Sequence, residues 1–213
     1  LNTPILKGSN LPKVEVVPSG KIHKGSFIAS HLFKESITLP LDLLFSLFTH
    51  NIPTLLGKQQ WDWLERSLKA STSPYKILAC GMIFNGATRP GKTDNWGNYP
   101  TEYVRLLSII KRHSISGVVL VSGDIHWSRV IQHDTKSKIG YNLIEFITSP
   151  IHEKLIPAAN AHHDGDLFSV GEVNSYLLLD ASSEGGMKNL SMKLRNASGE
   201  TLYEYVLEHP YEN

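Results

Sequence analysis

Cysteine is nearly absent from this chain. Among 213 residues only Cys80 carries a thiol, which excludes an internal disulfide framework and any cysteine-rich zinc module. No apolar run approaches the ~20 residues that a membrane-spanning helix needs. An excess of one charge is lacking as well: 21 Lys and Arg against 20 Asp and Glu leave a net +1. No global field therefore draws the chain to nucleic acid or to an acidic surface. There is no initial Met, and no basic stretch leading into an apolar one marks a signal peptide. Either a leader has been removed or the chain starts inside a longer gene product, and the motifs below favour the second. The cellular location is left open.

What is present is globular. Hydrophobic residues make up 41% and charged residues 19%, far from the mix of a disordered chain. The length fits one domain, two small ones, or part of something larger. Residues 1–53 form a poorly defined N-terminal segment. Pro4, Pro12 and Pro18 with Gly8, Gly20 and Gly25 break any period. Val14–Val17 suggests an edge strand, and Ile37–Phe48 leaves strand and helix both open.

Organisation is clear after Thr54. Lys58–Ala70 predicts a helix with Trp61, Leu64 and Leu68 on one face and Asp62–Arg66 and Glu65–Lys69 as outward pairs. Tyr75–Cys80 predicts a buried strand. A loop follows from Asn85 to Tyr99, and Pro100 opens a second helix as its first residue. That helix turns Tyr103, Leu106, Leu107 and Ile110 inward. Val118–Val121 predicts another buried strand, parallel to the first. In the last third the period changes from 3.6 to 2. Tyr141–Thr148, Val173–Ala181, Leu190–Leu194 and Leu202–Leu207 read as strands, with a short helix open at Glu153–Ala159.

The chemistry-bearing stretch is Gly117–Ser128, GVVLVSGDIHWS. A buried strand ends at Ser122 and Gly123 and delivers Asp124 and His126 at its carboxyl end, where ligands bind in open α/β sheets. In extended backbone, residues two apart face one side, so a carboxylate and an imidazole would converge. Such a pair suits a divalent or trivalent metal ion. The alternative is that Asp124 caps a turn and His126 is a partly buried polar residue.

SGDIHWS resembles the C-terminal metal motif of the PhoD-like (alkaline phosphatase D) metallophosphatases, within the calcineurin-like metallophosphoesterase superfamily. TLLGKQQWDWLERSLK (Thr54–Lys69) resembles that family's LG-x-x-QW-x-WLE helix, and NWGNYPTEYVRLL (Asn95–Leu107) its WG-x-Y/F-P-x-E-x-x-RLL segment. The closing strands, with NASG (Asn196–Gly199) before Thr201–Leu207, resemble its terminal strand pair. The resemblance implies an α/β fold, an incomplete metallophosphoesterase-like α/β sandwich with C-terminal antiparallel strands. Residues 54–213 would be the C-terminal part of the domain. It further implies Asp124 and His126 as metal ligands, calcium and iron as the ions, and a phosphate ester as substrate. Trp96 would border the cleft and contact that substrate. Trp61 and Trp63 carry no chemistry.

The sequence also departs from the family. No early strand ending at a ligand, no GD-bearing strand and no acidic or Asn-bearing motif precedes residue 54. Leu41–Phe45 keeps Asp42 but has Leu44 and Phe45 where the family has Arg and Tyr. Gly165 and Asp166 sit in a His-rich loop, and Cys80 falls inside a predicted strand. Two-metal hydrolysis needs ions ~3.5–4 Å apart, which one Asp and one His do not hold. The missing N-terminal half is expected in cis or as another chain. Two other readings stay open: a non-catalytic binding or structural domain on the same fold, and a mononuclear site in which His162, His163 and Asp164 join His126.

Overall fold

Trp61 and Leu68, seven residues apart, lie on one face of helix α1 (Gly57–Ala70), and both are buried. The computed structural model describes residues 54–207 apart from 90, 91, 93, 185 and 186. The expectations for Val14–Val17, Ile37–Phe48 and Asp42 lie outside the described residues. Strand β1 (Lys76–Ala79) follows α1, then two short 3-10 turns at Gly86–Thr88 and Trp96–Asn98, then helix α2 (Pro100–Arg112). Pro100 is the first residue of α2, as its fixed φ and missing N–H favour. Strand β2 (Val118–Ser122) then lies parallel to β1, with Lys76 opposite Val118. The predicted helix–strand–helix–strand order and the shared sheet are both present.

The second half holds β3 (Ser128–His133), a single turn α3 (Lys136–Ile139), β4 (Leu143–Ile147), β5 (Asp166–Val170), β6 (Tyr176–Glu184), β7 (Met187–Arg195) and β8 (Thr201–Leu207). The first five strands form one mixed sheet in the order β1-β2-β4-β3-β5. The last three form an antiparallel sheet in the order β6-β7-β8. Among the described residues the fold is thus mixed α/β with two sheets. The β7–β8 turn is Asn196–Gly199, where the Asn196 side chain accepts from the Ser198 and Glu200 amides and Gly199 takes φ +83°.

Alternation along β2 and β4 sorts side chains onto two faces. Val118, Leu120 and Leu143 pack with Leu106, Leu107, Ile109 and Ile110 of α2 and Trp61 of α1. Val119, Ile144 and Phe146 point the other way, onto Leu190, Met192, Leu194 and Leu207 of the second sheet. The Tyr75 hydroxyl lies 2.6 and 2.7 Å from the carbonyls of Lys188 and Leu207, tying the lead-in of β1 to that second sheet. Burying side chains of this size contributes about 1.5–3 kcal/mol each. Leu106→Ala, at a fully enclosed position, would cost about 2–5 kcal/mol.

Four sequence expectations are corrected. Strands β3 and β5 were not legible, and Asp166 starts β5 rather than lying in a loop. Glu153–Ala159 forms no α-helix, only the 3-10 turn Pro157–Asn160. Asp62 pairs with Lys58, and Glu65 reaches across to Arg112 and His113 at 3.2 and 2.9 Å. Cys80 stands one residue beyond β1, its amide still bonded to the Val121 carbonyl at 2.9 Å.

Candidate functional site

Strand β2 ends at Ser122, and Gly123 follows at the carboxyl edge of the parallel strands, beside Cys80 and Gly81. Asp124 and His126 come next. The expectation of an extended Asp-x-His is corrected: Asp124 has φ +73° and His126 has φ +57°. Non-glycine residues avoid this left-handed region unless surroundings enforce it. Here the chain leaves β2 through two left-handed residues flanking the fully buried Ile125. The His126 amide donates to Ser149 Oγ at 3.1 Å, which fixes the reversal against the segment after β4.

The imidazole is oriented as well. His126 Nδ1 lies 2.9 Å from the Lys154 carbonyl, so Nδ1 carries the proton and donates. Nε2 is left as the lone-pair nitrogen, with the His152 ring edge-on at 4.5 Å between centroids. A histidine anchored through one nitrogen to a backbone carbonyl is the usual support for a metal ligand.

The Asp124 carboxylate, 43% exposed, meets Lys92 Nζ at 2.8 Å. Lys92 is largely enclosed and also contacts Asp94 at 2.7 Å. Burial pulls the Lys92 ammonium down, but Asp124 and Asp94 together more than offset it and hold its pKa above the ordinary lysine value. The loop carrying Lys92 therefore does border Asp124, and Arg89 of the same loop reaches the Ile125 carbonyl at 3.4 Å.

Trp96 is elsewhere. Its ring is 3% exposed, stacked on Phe84 at 4.8 Å and edge-on to Trp61 at 6.1 Å. It packs in the helix-side core, which corrects the expectation that it faces substrate. The proposed His162, His163, Asp164 and His126 cluster does not gather either. His163 Nδ1 takes the Gly165 amide and Nε2 faces the Asn85 side chain, each at 2.9 Å. His162 and Asp164 are exposed and 3.5 Å apart. Among the described residues no group of three or more His, Cys, Asp or Glu is placed to hold a metal ion. A carboxylate and an imidazole are donor types that suit a divalent or trivalent ion, but the described residues do not gather a ligand set around Asp124 and His126.

One group of residues escaped the sequence reading. Glu145 on β4 is fully buried on the helix side of the sheet. Its Oε1 accepts from the Phe84 amide at 2.8 Å and the Ser122 hydroxyl at 2.5 Å. Its Oε2 accepts from the Asn85 amide at 3.2 Å and faces His133 Nε2 at 2.8 Å. It thereby fixes the loop after β1 to the end of β2. Its only sequence signal was a carboxylate inside an apolar strand, Leu143–Ile147, where an unpaired charge is costly.

With this geometry in hand, the comparisons with known proteins define the class. The family of PhoD-like phosphatases matches residues 47–199, and the chain belongs to that family. Alkaline phosphatase D of Bacillus subtilis (strain 168) is 34% identical over 97 residues, 40% of this chain and 17% of that protein. The solved structure of PhoD superposes with a TM-score of 0.54 at 22% identity, over 73% of this chain and 34% of that one. It supports the fold. The chain spans about a sixth of the length of the alkaline phosphatase D relative, 17%.

Proposed function

We propose that this chain is the C-terminal part of a metal-dependent phosphoric ester hydrolase, with residues 54–213 contributing to a metallophosphoesterase-type sandwich. The observation that carries the reading is the Asp124 and His126 pair: two left-handed residues at the carboxyl end of a parallel strand, with His126 Nε2 left as a lone-pair donor. Family membership supplies the reaction class. Asp124 and His126 would be ligands, completed by donors outside residues 54–207. A bound metal ion would supply Lewis acidity toward the phosphoryl oxygens and a hydroxide at neutral pH. The chain's own residues do the positioning: the Lys154 carbonyl holds the imidazole, and Lys92 holds the Asp124 carboxylate.

Grafting tests this. Residues 47–199, the stretch the family matches, are grafted into Bacillus subtilis alkaline phosphatase D in place of its corresponding segment, and the chimera is assayed with p-nitrophenyl phosphate and bis(p-nitrophenyl) phosphate. Metal-dependent turnover is expected, lost in Asp124→Ala and His126→Ala chimeras that remain folded. The chain alone is expected to turn over neither substrate measurably, because the described residues do not complete a ligand set. A folded chimera without activity overturns the reading in favour of a binding domain on the same fold.

A further inference from the structure

Two imidazoles meet beyond the end of β2, and the main chain of Lys154 holds both. His126 Nδ1 lies 2.9 Å from the Lys154 carbonyl. The Lys154 amide donates to His152 Nδ1 at 3.0 Å. A carbonyl only accepts and an amide N–H only donates, so both ring protons are placed. His126 carries its proton on Nδ1. His152 accepts at Nδ1, so its proton sits on Nε2. In each ring Nε2 lies across from the atom held by Lys154, which turns both Nε2 atoms away from that residue. The ring centroids are 4.5 Å apart, with the planes at 67°. A further bond seats the loop, from the Ile156 amide to the His126 carbonyl at 3.3 Å. His152 is exposed, and among the described residues no group accepts its Nε2–H. A lone pair and an N–H donor thus stand on neighbouring rings.

We propose that His152 is a substrate-contacting residue, its Nε2–H donating to a non-bridging oxygen of a phosphoryl group seated beside His126. The choice of a phosphoryl group rests on the phosphoric ester reading above. The position of the proton excludes the other roles an imidazole takes. Ligating a cation through Nε2 would move the ring proton to Nδ1, against the Lys154 N–H. A protonated Nε2 has no lone pair with which to attack phosphorus. Surrendering that proton would leave an imidazolate, so no proton is transferred and the contact stays a hydrogen bond. Phosphoryl oxygens are anionic, and an N–H bond to a charged acceptor is shorter and stronger than a neutral one. Lys92, the cation beside Asp124, is already shared by Asp94 and Asp124. The competing account is that His152 only shapes its loop, because accepting the amide two residues on is what an Asn does in an Asx turn.

That likeness supplies the test, on the full chain without metal, with inorganic phosphate as the probe and chloride at matched ionic strength as the blank. His152→Asn keeps an acceptor for the Lys154 amide and removes the Nε2 donor. His152→Gln places an amide N–H near the position of Nε2–H. NMR of the wild-type ring nitrogens should show a protonated Nε2 and a bare Nδ1 in His152, with the reverse in His126. Phosphate should move the His152 Nε2 signal saturably, and chloride should leave it in place. Phosphate affinity should fall about tenfold in His152→Asn, the loss of roughly one hydrogen bond, and return in large part in His152→Gln. The His126 Nδ1 signal should keep its wild-type position in His152→Asn, which shows that the loop still holds His126. Two rings in the same tautomer, no saturable response to phosphate, or equal affinity in wild type and His152→Asn overturns the proposal. A loss in His152→Asn that comes with a displaced His126 signal assigns His152 to the loop alone and overturns it as well. Phosphate binding here needs neither metal nor turnover, so it is read independently of the chimera. An inactive chimera with phosphate held at His152 leaves the anion contact standing and removes only the ester. An active chimera whose His152→Asn form keeps its KM removes the contact and leaves the ester reading in place.

Discussion

Trp61 donates its indole N–H to Glu102 Oε1 at 2.8 Å, joining α1 to the first turn of α2 across 41 residues of sequence. The same carboxylate accepts the Leu55 and Leu56 amides at 2.6 and 3.1 Å and the Thr54 hydroxyl. The cap residue Leu56 supplies no side-chain cap to α1, so Thr54 Oγ1 takes the Gly57 amide at 2.9 Å and Glu102 takes the two amides just before it. Arg105, a turn further along α2, lies over the Trp61 ring at 4.7 Å.

Glu102→Gln should therefore destabilise the fold by about 1–3 kcal/mol, because an amide cannot accept at both ends and one buried donor goes unpaired. Urea denaturation of the full chain measures it. The loss should shrink when Trp61 is replaced by Phe in the same background, since the indole donor is then already gone.

Arg129 is fully buried on β3. It pairs with Asp166 through Nε at 3.1 Å and through Nη2, and reaches the Thr88 and Ala159 carbonyls at 3.2 and 2.9 Å. Arg129→Lys loses the two-pronged geometry and leaves Asp166 and two carbonyls short of donors, at about 3–5 kcal/mol. The exposed Lys58 and Asp62 pair is the control, and Lys58→Ala should cost under about 1 kcal/mol. Equal midpoint shifts for the two variants would contradict the assigned role of Arg129.

His126→Ala is expected to leave stability within about 1 kcal/mol, since the residue is only partly buried and its side-chain hydrogen bond goes to a surface carbonyl. Metal content of the chimera, by elemental analysis, should fall together with activity. A packed core histidine would behave the other way, with a large stability loss and metal unchanged. Thermal denaturation and elemental analysis on one preparation decide between them.

The buried phenol of Tyr103 sets an alkaline limit. Its folded pKa is raised above the ordinary value of 10.0, first by burial and then by Glu145. The unfolded chain therefore releases this proton before the folded one does. The stability contribution is complete below about pH 10 and declines as pH rises beyond it. Tyr75 and Tyr203 are shifted the same way by burial, so the wild-type decline has several sources. Tyr103→Phe should flatten it measurably in urea midpoints taken between about pH 9 and 11.

The order from α1 to β2 was legible because each element carries its own period. Trp61 and Leu68 repeat at helical spacing, Pro100 starts α2, and Val118–Val121 is apolar throughout, as a strand covered on both faces must be. The placement of Asp124 and His126 just past that strand followed from the same local signal. Strands β3 and β5 gave no such signal. β3 carries Arg129 and His133 inward, and β5 exposes alternate residues at the sheet edge. Their polar positions are tolerated only because Asp166, Glu145 and carbonyls from distant loops meet them. The left-handed turn at Asp124 and His126 was hidden for a related reason. It is imposed by Ser149, Lys154 and the buried Ile125, none of which local propensity registers. Short-range hydrophobic periodicity thus determined the parallel core and the position of Asp124 and His126 at the end of β2. The buried charges that lock it, Glu102, Arg129 and Glu145, were decided by tertiary structure alone, because each is satisfied by donors or acceptors on other elements, from 12 to 61 residues away.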